Sequence, residues 1–378
     1  MNKKKIVFLT GTRADFGKLK SLIKITQNSN HYEVHIFATG MHMNSKYGLT
    51  SDEIYKAGFK NIYTYINHDK IEYMDRTLAK TIDGFSHYIA EIKPDLIVVH
   101  GDRVEAMAGA IVGSLNNILV AHIEGGEVSG TIDELIRHSV SKLSHIHLVT
   151  NQEAKQRLLQ LGELESSIFV IGSPDLDLMD SKNLPTLSES KTYYNIEFDE
   201  YAIAMYHPVT TEYNNIKQNI KEFVDALIES KLNYILIYPN NDLGSIEILE
   251  EYERLKDNPK VKIFPSLRFE YFLKLLKNAK FMIGNSSAGI REAPFYKIPT
   301  VNIGTRQENR VILDSVINCS NDKKEILDSI NVVLKEKFHF VDCEFGSGNS
   351  DKLFFNILSN DKFWKINCQK QFQELKLV

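Results

Sequence analysis

Three carboxylic acids in the first half of the chain stand where acid–base chemistry could take place. Asp102 comes just past the largely apolar run 96–100, Glu124 follows the run 118–123 and precedes two glycines, and Glu134 lies on the next predicted helix. Because the carboxyl ends of parallel strands meet at one edge of a sheet, we expect the three side chains to converge. Three gathered carboxylates favour proton transfer. Taken singly, they could instead be a helix cap or a surface ion pair.

The second half carries a pattern suited to a phosphate. The segment 284–294, GNSSAGIREAP, places small residues and hydroxyls between a predicted strand and a predicted helix. Backbone N–H groups and a helix dipole would bind an anion there, and Glu292 could accept both hydroxyls of a ribose. Capping by Ser286 alone would explain the serines but not the glycines and the carboxylate. His207 ends another predicted strand, and Arg306 would add a forked cation.

A third polar segment, 10–18, lies between the first predicted strand and the first predicted helix. Gly11 and Gly17 would allow close approach to a ligand, and Arg13 and Lys18 would add positive charge. The segment is neither a GxGxxG fingerprint nor a Walker A loop. An ordinary strand-to-helix turn with solvated charges explains it equally well.

The elements that would position these residues alternate along the whole chain, as in parallel sheets covered on both faces. Strands are predicted at 6–10, 34–38, 96–100, 118–123, 147–150, 169–171, 201–206, 234–238, 261–264, 281–283 and 300–303. Helices are predicted at 18–26, 73–92, 106–115, 132–143, 214–230, 245–256, 268–277, 287–296 and 350–377.

The segment 173–195 interrupts this alternation with prolines, serines and charges, which marks a domain boundary. We therefore expect an α/β protein of two doubly wound domains, 1–175 and 176–355, with a C-terminal helix at 356–378 that packs back on the first. In such a protein the ligand site is expected in the cleft between the domains, at the carboxyl ends of the strands.

Composition excludes several classes of protein. The 378 residues carry 45 basic and 49 acidic side chains, a net charge of −4, which argues against a nucleic-acid partner. No segment approaches the roughly 18 apolar residues of a membrane helix, and the apolar run after the basic N-terminus stops at Thr10, too soon for a signal peptide. The three cysteines suggest neither a disulfide framework nor a zinc site. A cytoplasmic protein is expected.

Taken together, the motifs resemble the UDP-N-acetylglucosamine 2-epimerase family, and more narrowly its hydrolysing bacterial branch, which makes N-acetylmannosamine for sialic acid. They include TGTRADFGKLK at 10–20, HGDR at 100–103, HIEGGEVSGT at 122–131, DELIRHSVSKLSH at 133–145, GNSSAGIREAP at 284–294 and GTRQENR at 304–310. The similarity extends over nearly the whole chain. Ala14-Asp15 and Glu124-Gly125-Gly126 match the hydrolysing branch and differ from the non-hydrolysing one.

The resemblance implies a GT-B-like fold of two Rossmann-like domains, with UDP held mainly by the second. It implies catalytic roles for Asp102, Glu124, Glu134 and His207. It implies substrate-binding roles for Arg13, Lys18, Phe272 (near uracil), Ser286, Ser287, Gly289, Glu292 and Arg306. It also implies UDP-N-acetylglucosamine and UDP as ligands, no metal or cofactor, a homodimer, and a place in sialic acid and capsule polysaccharide synthesis.

The implied reaction converts UDP-N-acetylglucosamine and water into N-acetylmannosamine and UDP. It proceeds by removal of the C2 proton, anti elimination of UDP and hydration of 2-acetamidoglucal. Four alternatives stay open: a hydrolysing 2-epimerase of a UDP-2,4-diacetamido-2,4,6-trideoxyhexose, a non-hydrolysing epimerase, a glycosyltransferase, and a catalytically inert protein that binds a UDP-sugar. The three carboxylates weigh against the last, because like charges beside a diphosphate disfavour simple binding.

Overall fold

The computed structural model of the chain describes residues 3–68, 73–179, 184–307, 313–340, 346 and 348–374. It divides into two compact units. The first comprises Met1–Glu127, Asp133–Ser181 and Glu344–Val378, and the second comprises Val128–Ile132 and Lys182–Cys343. The predicted fold class, two α/β domains built on parallel sheets, is confirmed.

The first unit has a parallel sheet with the strand order β3-β2-β1-β4-β5-β6-β7. The strands are β1 (Lys4–Thr10), β2 (Tyr32–Ala38), β3 (Ile62–Thr64), β4 (Leu96–His100), β5 (Leu119–Ile123), β6 (Ile146–Val149) and β7 (Ile168–Val170). The helices are α1 (Arg13–Gln27), α2 (Ser51–Lys56), α3 (Met74–Ile92), α4 (Val104–Leu115), α5 (Ile132–Leu143), α6 (Gln152–Gln160) and α7 (Pro174–Met179). All five residues of β4 are buried, as expected of a central strand covered on both faces.

The second unit has a parallel sheet with the strand order β10-β9-β8-β11-β12-β13. The strands are β8 (Ala202–Met205), β9 (Tyr234–Ile237), β10 (Val261–Phe264), β11 (Met282–Gly284), β12 (Thr300–Ile303) and β13 (Val316–Cys319). The helices are α8 (Leu187–Tyr193), α9 (Ile216–Ser230), α10 (Ser245–Tyr252), α11 (Phe269–Leu276), α12 (Glu292–Phe295) and α13 (Lys323–Lys335).

Each sheet has a point where the strand order reverses. In the first unit it lies between β1 and β4, and in the second between β8 and β11. Open α/β sheets form a crevice at the carboxyl end of this switch point, where ligands bind. The polar segments 10–18 and 100–103 follow β1 and β4, and His207 and Asn285 follow β8 and β11.

The two compact units differ from the expected domain bounds at two points. Val128–Ile132, assigned from sequence to the first domain, belongs to the second unit, and the chain returns to the first unit at Glu344 rather than at 356. The expected helices at 350–377 and 356–378 are also wrong. Helix α14 spans Ser350–Leu358, and a short 3₁₀ turn at Phe363–Lys365 precedes an irregular tail.

Aromatic packing explains why this C-terminal segment belongs to the first unit. Phe354 of α14 is fully buried, and its ring meets that of Phe8 in β1 edge-on at 6.2 Å between centroids. Trp364 stacks on Tyr32 at 6.2 Å. Burial of one such side chain stabilises a fold by about 1.5–3 kcal/mol. Within the described residues, no helix has the length and apolarity needed to cross a bilayer.

Candidate active site

Glu124 occupies the carboxyl end of β5 in a conformation that few residues adopt. Its φ of 68° is left-handed, and Gly126 follows with a φ of 77°. A non-glycine residue held in this region is strained by about 1–3 kcal/mol, and such residues cluster at functional sites. The side chain is buried, with Oε1 3.2 Å from Lys18 Nζ and 3.2 Å from His100 Nε2. Lys18 Nζ also lies 3.3 Å from Asp175 Oδ2.

His100, the last residue of β4, is a buried cation at neutral pH. Burial by itself lowers its pKa, but the carboxylate of Glu124, together with the nearby carboxylate of Asp15, raises the pKa to about 9. Asp15 Oδ1 lies 3.7 Å from His100 Nδ1. Burial would raise the pKa of Asp15, yet His100 holds it below its usual value. Glu124 therefore lies between an ammonium group and an imidazolium group.

Asp102 has a different partner. Its carboxylate pairs with Arg137 of α5, whose side chain is fully buried, while the Asp102 side chain is 23% exposed. Burial lowers the pKa of Arg137, but the charges of Asp102, Glu127 and Glu124 raise it above its usual value. Asp102 and Glu124 thus act on one buried guanidinium group and differ in exposure. Differently placed carboxylates of this kind can take the two opposite roles in proton transfer.

The backbone before Asp102 is held by His122. Burial lowers the pKa of His122 to about 3, so its ring is neutral at pH 7. Because the Gly101 carbonyl, 2.8 Å from His122 Nε2, can only accept, Nε2 carries the proton and donates it there. Nδ1 then accepts from the Ser141 hydroxyl at 3.0 Å. A chain of hydrogen bonds consequently links α5 to the loop that presents Asp102.

Two residues predicted for the site form ion pairs with other side chains. Glu134 pairs with His138 one turn along α5, at 3.2 Å, and both side chains are about a third exposed. The guanidinium group of Arg13 pairs with Glu53 at 2.8 Å. The structure therefore places Asp102 and Glu124 after neighbouring strands, pairs Asp102 with Arg137, and pairs Glu134 with His138.

In the second unit, His207 and Asn285 clamp the ends of β8 and β11 together. The backbone N–H of His207 donates to Asn285 Oδ1 at 2.6 Å, and Asn285 Nδ2 donates to the His207 carbonyl at 2.8 Å. The backbone N–H of Asn240 donates to His207 Nδ1 at 3.0 Å. Neutral His207 accordingly carries its proton on Nε2, where it can donate to an anion.

The loop after β11 packs closely against β8. Gly284 has a φ of 129°, and a Cβ atom there would lie 1.9 Å from the carbonyl oxygen of Met205. Ser286 caps a 3₁₀ turn, Ser287–Gly289, by accepting from the Ala288 N–H at 3.3 Å. The helix expected at 287–296 is wrong, because this turn and the four-residue α12 take its place. An anion here would therefore depend on hydroxyl and N–H donors more than on a helix dipole.

Neighbouring side chains converge on the same loop. Glu292 is buried at the start of α12. The carbonyl oxygen of Asn285 accepts from Gln307 Nε2 at 2.9 Å and from Arg306 Nη1 at 3.4 Å. The backbone N–H of Gly130 donates to the Arg306 carbonyl at 3.3 Å. The last three residues of the GTRQENR motif, 308–310, lie outside the described residues.

Phe272, expected near a uracil ring, lies on α11 and is 7% exposed. Its ring stacks on that of Phe269 at 6.3 Å between centroids. Its contact with a base stays a prediction. Among the described residues, no group of three or more His, Cys, Asp or Glu side chains is placed to hold a metal ion.

Sequence reasoning missed several members of the first-unit network. His100 had a visible signal, since it is a polar residue at the end of an otherwise apolar strand and belongs to the HGDR motif. Arg137 had one too, because an arginine within a helical apolar face must find a buried anion. Asp175 had none, since only the tertiary fold brings α7 to Lys18.

Comparisons with known proteins find relatives that match nearly the whole chain. The family model for UDP-N-acetylglucosamine 2-epimerase matches residues 24–359. The chain is 47% identical to a UDP-N-acetylglucosamine 2-epimerase of Neisseria meningitidis, over 99% of this chain and 100% of that protein. It is 36% identical to a UDP-N,N'-diacetylbacillosamine 2-epimerase (hydrolyzing) of Legionella pneumophila, over 94% of this chain and 95% of that protein. The solved Methanocaldococcus jannaschii UDP-GlcNAc 2-epimerase, in complex with UDP-GlcNAc and UDP, has the same fold, with a TM-score of 0.79. The two sequences are 23% identical, and the match covers 94% of this chain and 99% of that one.

Proposed function

The chain belongs to the UDP-N-acetylglucosamine 2-epimerase family, and we propose that it is a hydrolysing member, which converts UDP-N-acetylglucosamine and water into N-acetylmannosamine and UDP. The observation that carries this proposal is the pair of carboxylates after β4 and β5. Asp102 is partly exposed against Arg137, and Glu124 is buried against two cations. Inversion at C2 requires a proton to leave one face of the sugar and another to arrive on the opposite face, so it needs two separate groups.

The hydrolysing branch draws support from two sources. Asp15, which the resemblance associates with that branch, contacts the imidazolium of His100. The Legionella pneumophila relative is itself named as hydrolysing. The resemblance further supports a cytoplasmic homodimer that serves sialic acid and capsule synthesis.

In the first step, the Asp102 carboxylate takes the C2 proton. The C–H electrons form the C1–C2 double bond, the C1–O bond breaks, and its electrons leave on the β-phosphate of UDP. A proton at C2 is too weakly acidic to be removed without this simultaneous departure, which depends on stabilising the leaving diphosphate. Arg137 keeps Asp102 ionised and in place, so that it can act as the base.

In the second step, water adds to C1 of 2-acetamidoglucal and C2 receives a proton on the other face. Glu124 delivers that proton, which it obtains from His100, 3.2 Å away. The proton lost by the attacking water restores the Glu124–His100 pair, and Asp102 releases the C2 proton to solvent. One proton is therefore released for each substrate hydrolysed at neutral pH.

The second unit supplies the nucleotide contacts in this proposal. His207 donates from Nε2 to the diphosphate as charge develops on it, because the Asn240 N–H already occupies Nδ1. Ser286, Ser287, Gly289 and Arg306 bind phosphate oxygens, and Glu292 accepts the ribose hydroxyls. Phe272 borders the uracil, while Arg13 and Glu134 have supporting roles.

The test is incubation of the purified protein with UDP-N-acetylglucosamine, followed by phosphorus and proton NMR. Free UDP and N-acetylmannosamine in equal amounts are expected. Accumulation of UDP-N-acetylmannosamine would contradict the hydrolysing assignment, and no reaction of the nucleotide sugar would contradict the whole proposal.

A second candidate substrate follows from the Legionella pneumophila relative, whose name gives UDP-N,N'-diacetylbacillosamine. We favour UDP-N-acetylglucosamine because the relative with 47% identity is named for it. Measuring kcat/KM for both nucleotide sugars decides between them. A higher value for the diacetamido sugar would reverse the assignment while leaving the mechanism intact.

A further inference from the structure

The irregular C-terminal tail places one lysine against the end of a helix that carries site residues. Lys370 Nζ lies 2.7 Å from the Ser144 carbonyl, 2.9 Å from that of Lys142 and 3.4 Å from that of Ser141. The last carbonyls of a helix have no partners within it, and their partial negative charge attracts a cation. The ammonium group therefore caps the C-terminus of α5 from a distant part of the sequence.

A buried carboxylate fixes the lysine in this position. Glu163 Oε2 lies 2.5 Å from Lys370 Nζ, and its side chain is 1% exposed. Lys142 and His147 bind the same carboxylate at 3.0 and 2.9 Å. Burial would raise the pKa of Glu163, yet His147 and Lys370 lower it to about 2, so the carboxylate stays charged over the working range of pH.

The tail holds β5 as well, through His145. His145 Nδ1 accepts from the Val120 N–H at 3.0 Å, so the neutral ring carries its proton on Nε2 and donates it to the Cys368 carbonyl at 3.0 Å. Val120 belongs to β5, which leads directly to Glu124. Lys370 thus binds α5 directly, and Cys368 is linked to β5 through His145.

The capped turn is also connected to Asp102. Ser141, whose carbonyl faces Lys370, contributes the hydroxyl that binds His122, and His122 holds the carbonyl of Gly101 next to Asp102. One turn earlier on α5, Arg137 pairs with Asp102 itself. A shift of the C-terminal end of α5 would move both supports of this carboxylate together.

We propose that Lys370 is a positioning residue for the epimerase reaction, which holds α5 in the register that aligns Arg137 and Asp102 with the sugar. This inference rests on the proposed function, since Asp102 must be the group that transfers the proton. The tail then contributes to turnover without touching the substrate.

The test compares Lys370→Met with Lys365→Met, a control in which an exposed lysine of the 3₁₀ turn before the tail is changed. A misplacement of about 1 Å can cost about 10²-fold in rate, so we expect K370M to lose at least ~10-fold in kcat while KM and UDP affinity stay within about twofold. K370R, which keeps the charge and the donors, should recover most of the rate. Thermal unfolding establishes that each variant is folded.

Hydrogen–deuterium exchange supplies a readout that does not depend on the substrate. Peptides covering 132–144 should exchange faster in K370M than in K365M, whereas peptides of α1 should not change. Inactivity of the wild type on UDP-N-acetylglucosamine would contradict the proposed function alone, because the exchange comparison still shows whether Lys370 stabilises α5.

An unchanged kcat in folded K370M, or a loss confined to KM, would overturn the positioning role. So would unchanged exchange in α5. If K370M does not fold, Lys370→Gln takes its place under the same criteria. If neither variant folds, Lys370 is required for folding rather than for turnover, and the proposal is wrong.

Discussion

Replacing His100 with glutamine removes a buried positive charge from the centre of the first-unit network. The imidazolium lies 3.2 Å from Glu124 and 3.7 Å from Asp15, and its pKa is raised from 6.5 to about 9. The difference, 9 − 6.5 or about 2.5 pH units, corresponds to about 3 kcal/mol at about 1.36 kcal/mol for each unit. Protonation of the His100 ring is therefore more favourable in the folded protein than in the unfolded chain by this free energy.

The sign of the pH dependence follows from linkage. Because the pKa is higher in the folded protein, the stabilisation is fully present below about pH 6.5 and is lost as the pH rises through about 9. The unfolding free energy of the wild type relative to His100→Gln should therefore fall by about 3 kcal/mol between pH 6 and pH 9.5. Titrating groups remote from His100 behave alike in both proteins and cancel in the difference.

Two measurements check this prediction. In protein labelled with carbon-13 at histidine Cε1, the signal that disappears in H100Q should titrate near pH 9. Urea unfolding of both proteins across the same pH range should give the matching change in stability. His87→Gln is the control, since His87 lies on the surface of α3 with its side chain 84% exposed. A His100 signal that titrates at or below pH 6.5, or a stability difference independent of pH, would refute the assignment of a buried imidazolium.

Three further predictions concern other parts of the chain. Glu124→Gln should bind UDP as the wild type does in calorimetry and turn over at least ~10²-fold more slowly; wild-type turnover would remove Glu124 from the mechanism. Arg137→Met removes the buried partner of Asp102 and should lower kcat by about 10²-fold in a folded protein; a change in KM alone would contradict this. Gly284→Ala should lower the unfolding free energy by about 3 kcal/mol or more, because its Cβ would overlap a carbonyl of β8. Gly58→Ala, at a φ of 81° with nothing within 4 Å, should cost only about 1 kcal/mol, and equal losses in the two variants would exclude the overlap as the cause.

The central strands and most of the long helices were predictable because their burial leaves a strong pattern, but α13 (Lys323–Lys335) was not predicted. The apolar run 96–100 is β4, and the helix predicted at 132–143 is α5 with the same bounds. The edge strands β3 and β13 were missed because edge strands are short and half exposed, which leaves little alternation to detect. The C-terminal helix was predicted too long. After Leu358 the apolar side chains Phe363 and Trp364 continue to pack on the first unit, which mimics a helical pattern in an irregular tail.

Sequence alone could predict those residues of the candidate site that lie at the ends of strands. Asp102 and Glu124 follow neighbouring parallel strands, so their proximity follows from topology alone. Topology does not predict the partners of these carboxylates. The contacts of Arg137 with Asp102 and of Lys18 with Asp175 depend on how the helices pack on the sheet. The protonation of His100 was equally inaccessible, since it results from burial and neighbouring charges that only the folded chain brings together.

The most direct test of the central claim, that side chains of the first unit move a proton at C2, is the reaction carried out in deuterated water. We predict that N-acetylmannosamine released by the wild type carries one deuterium at C2, and that Asp102→Asn, although it still binds UDP, forms this product at least ~10²-fold more slowly. Release of a sugar that retains its original C2 hydrogen would contradict proton abstraction, and an Asp102→Asn variant as fast as the wild type would contradict the assignment of the base.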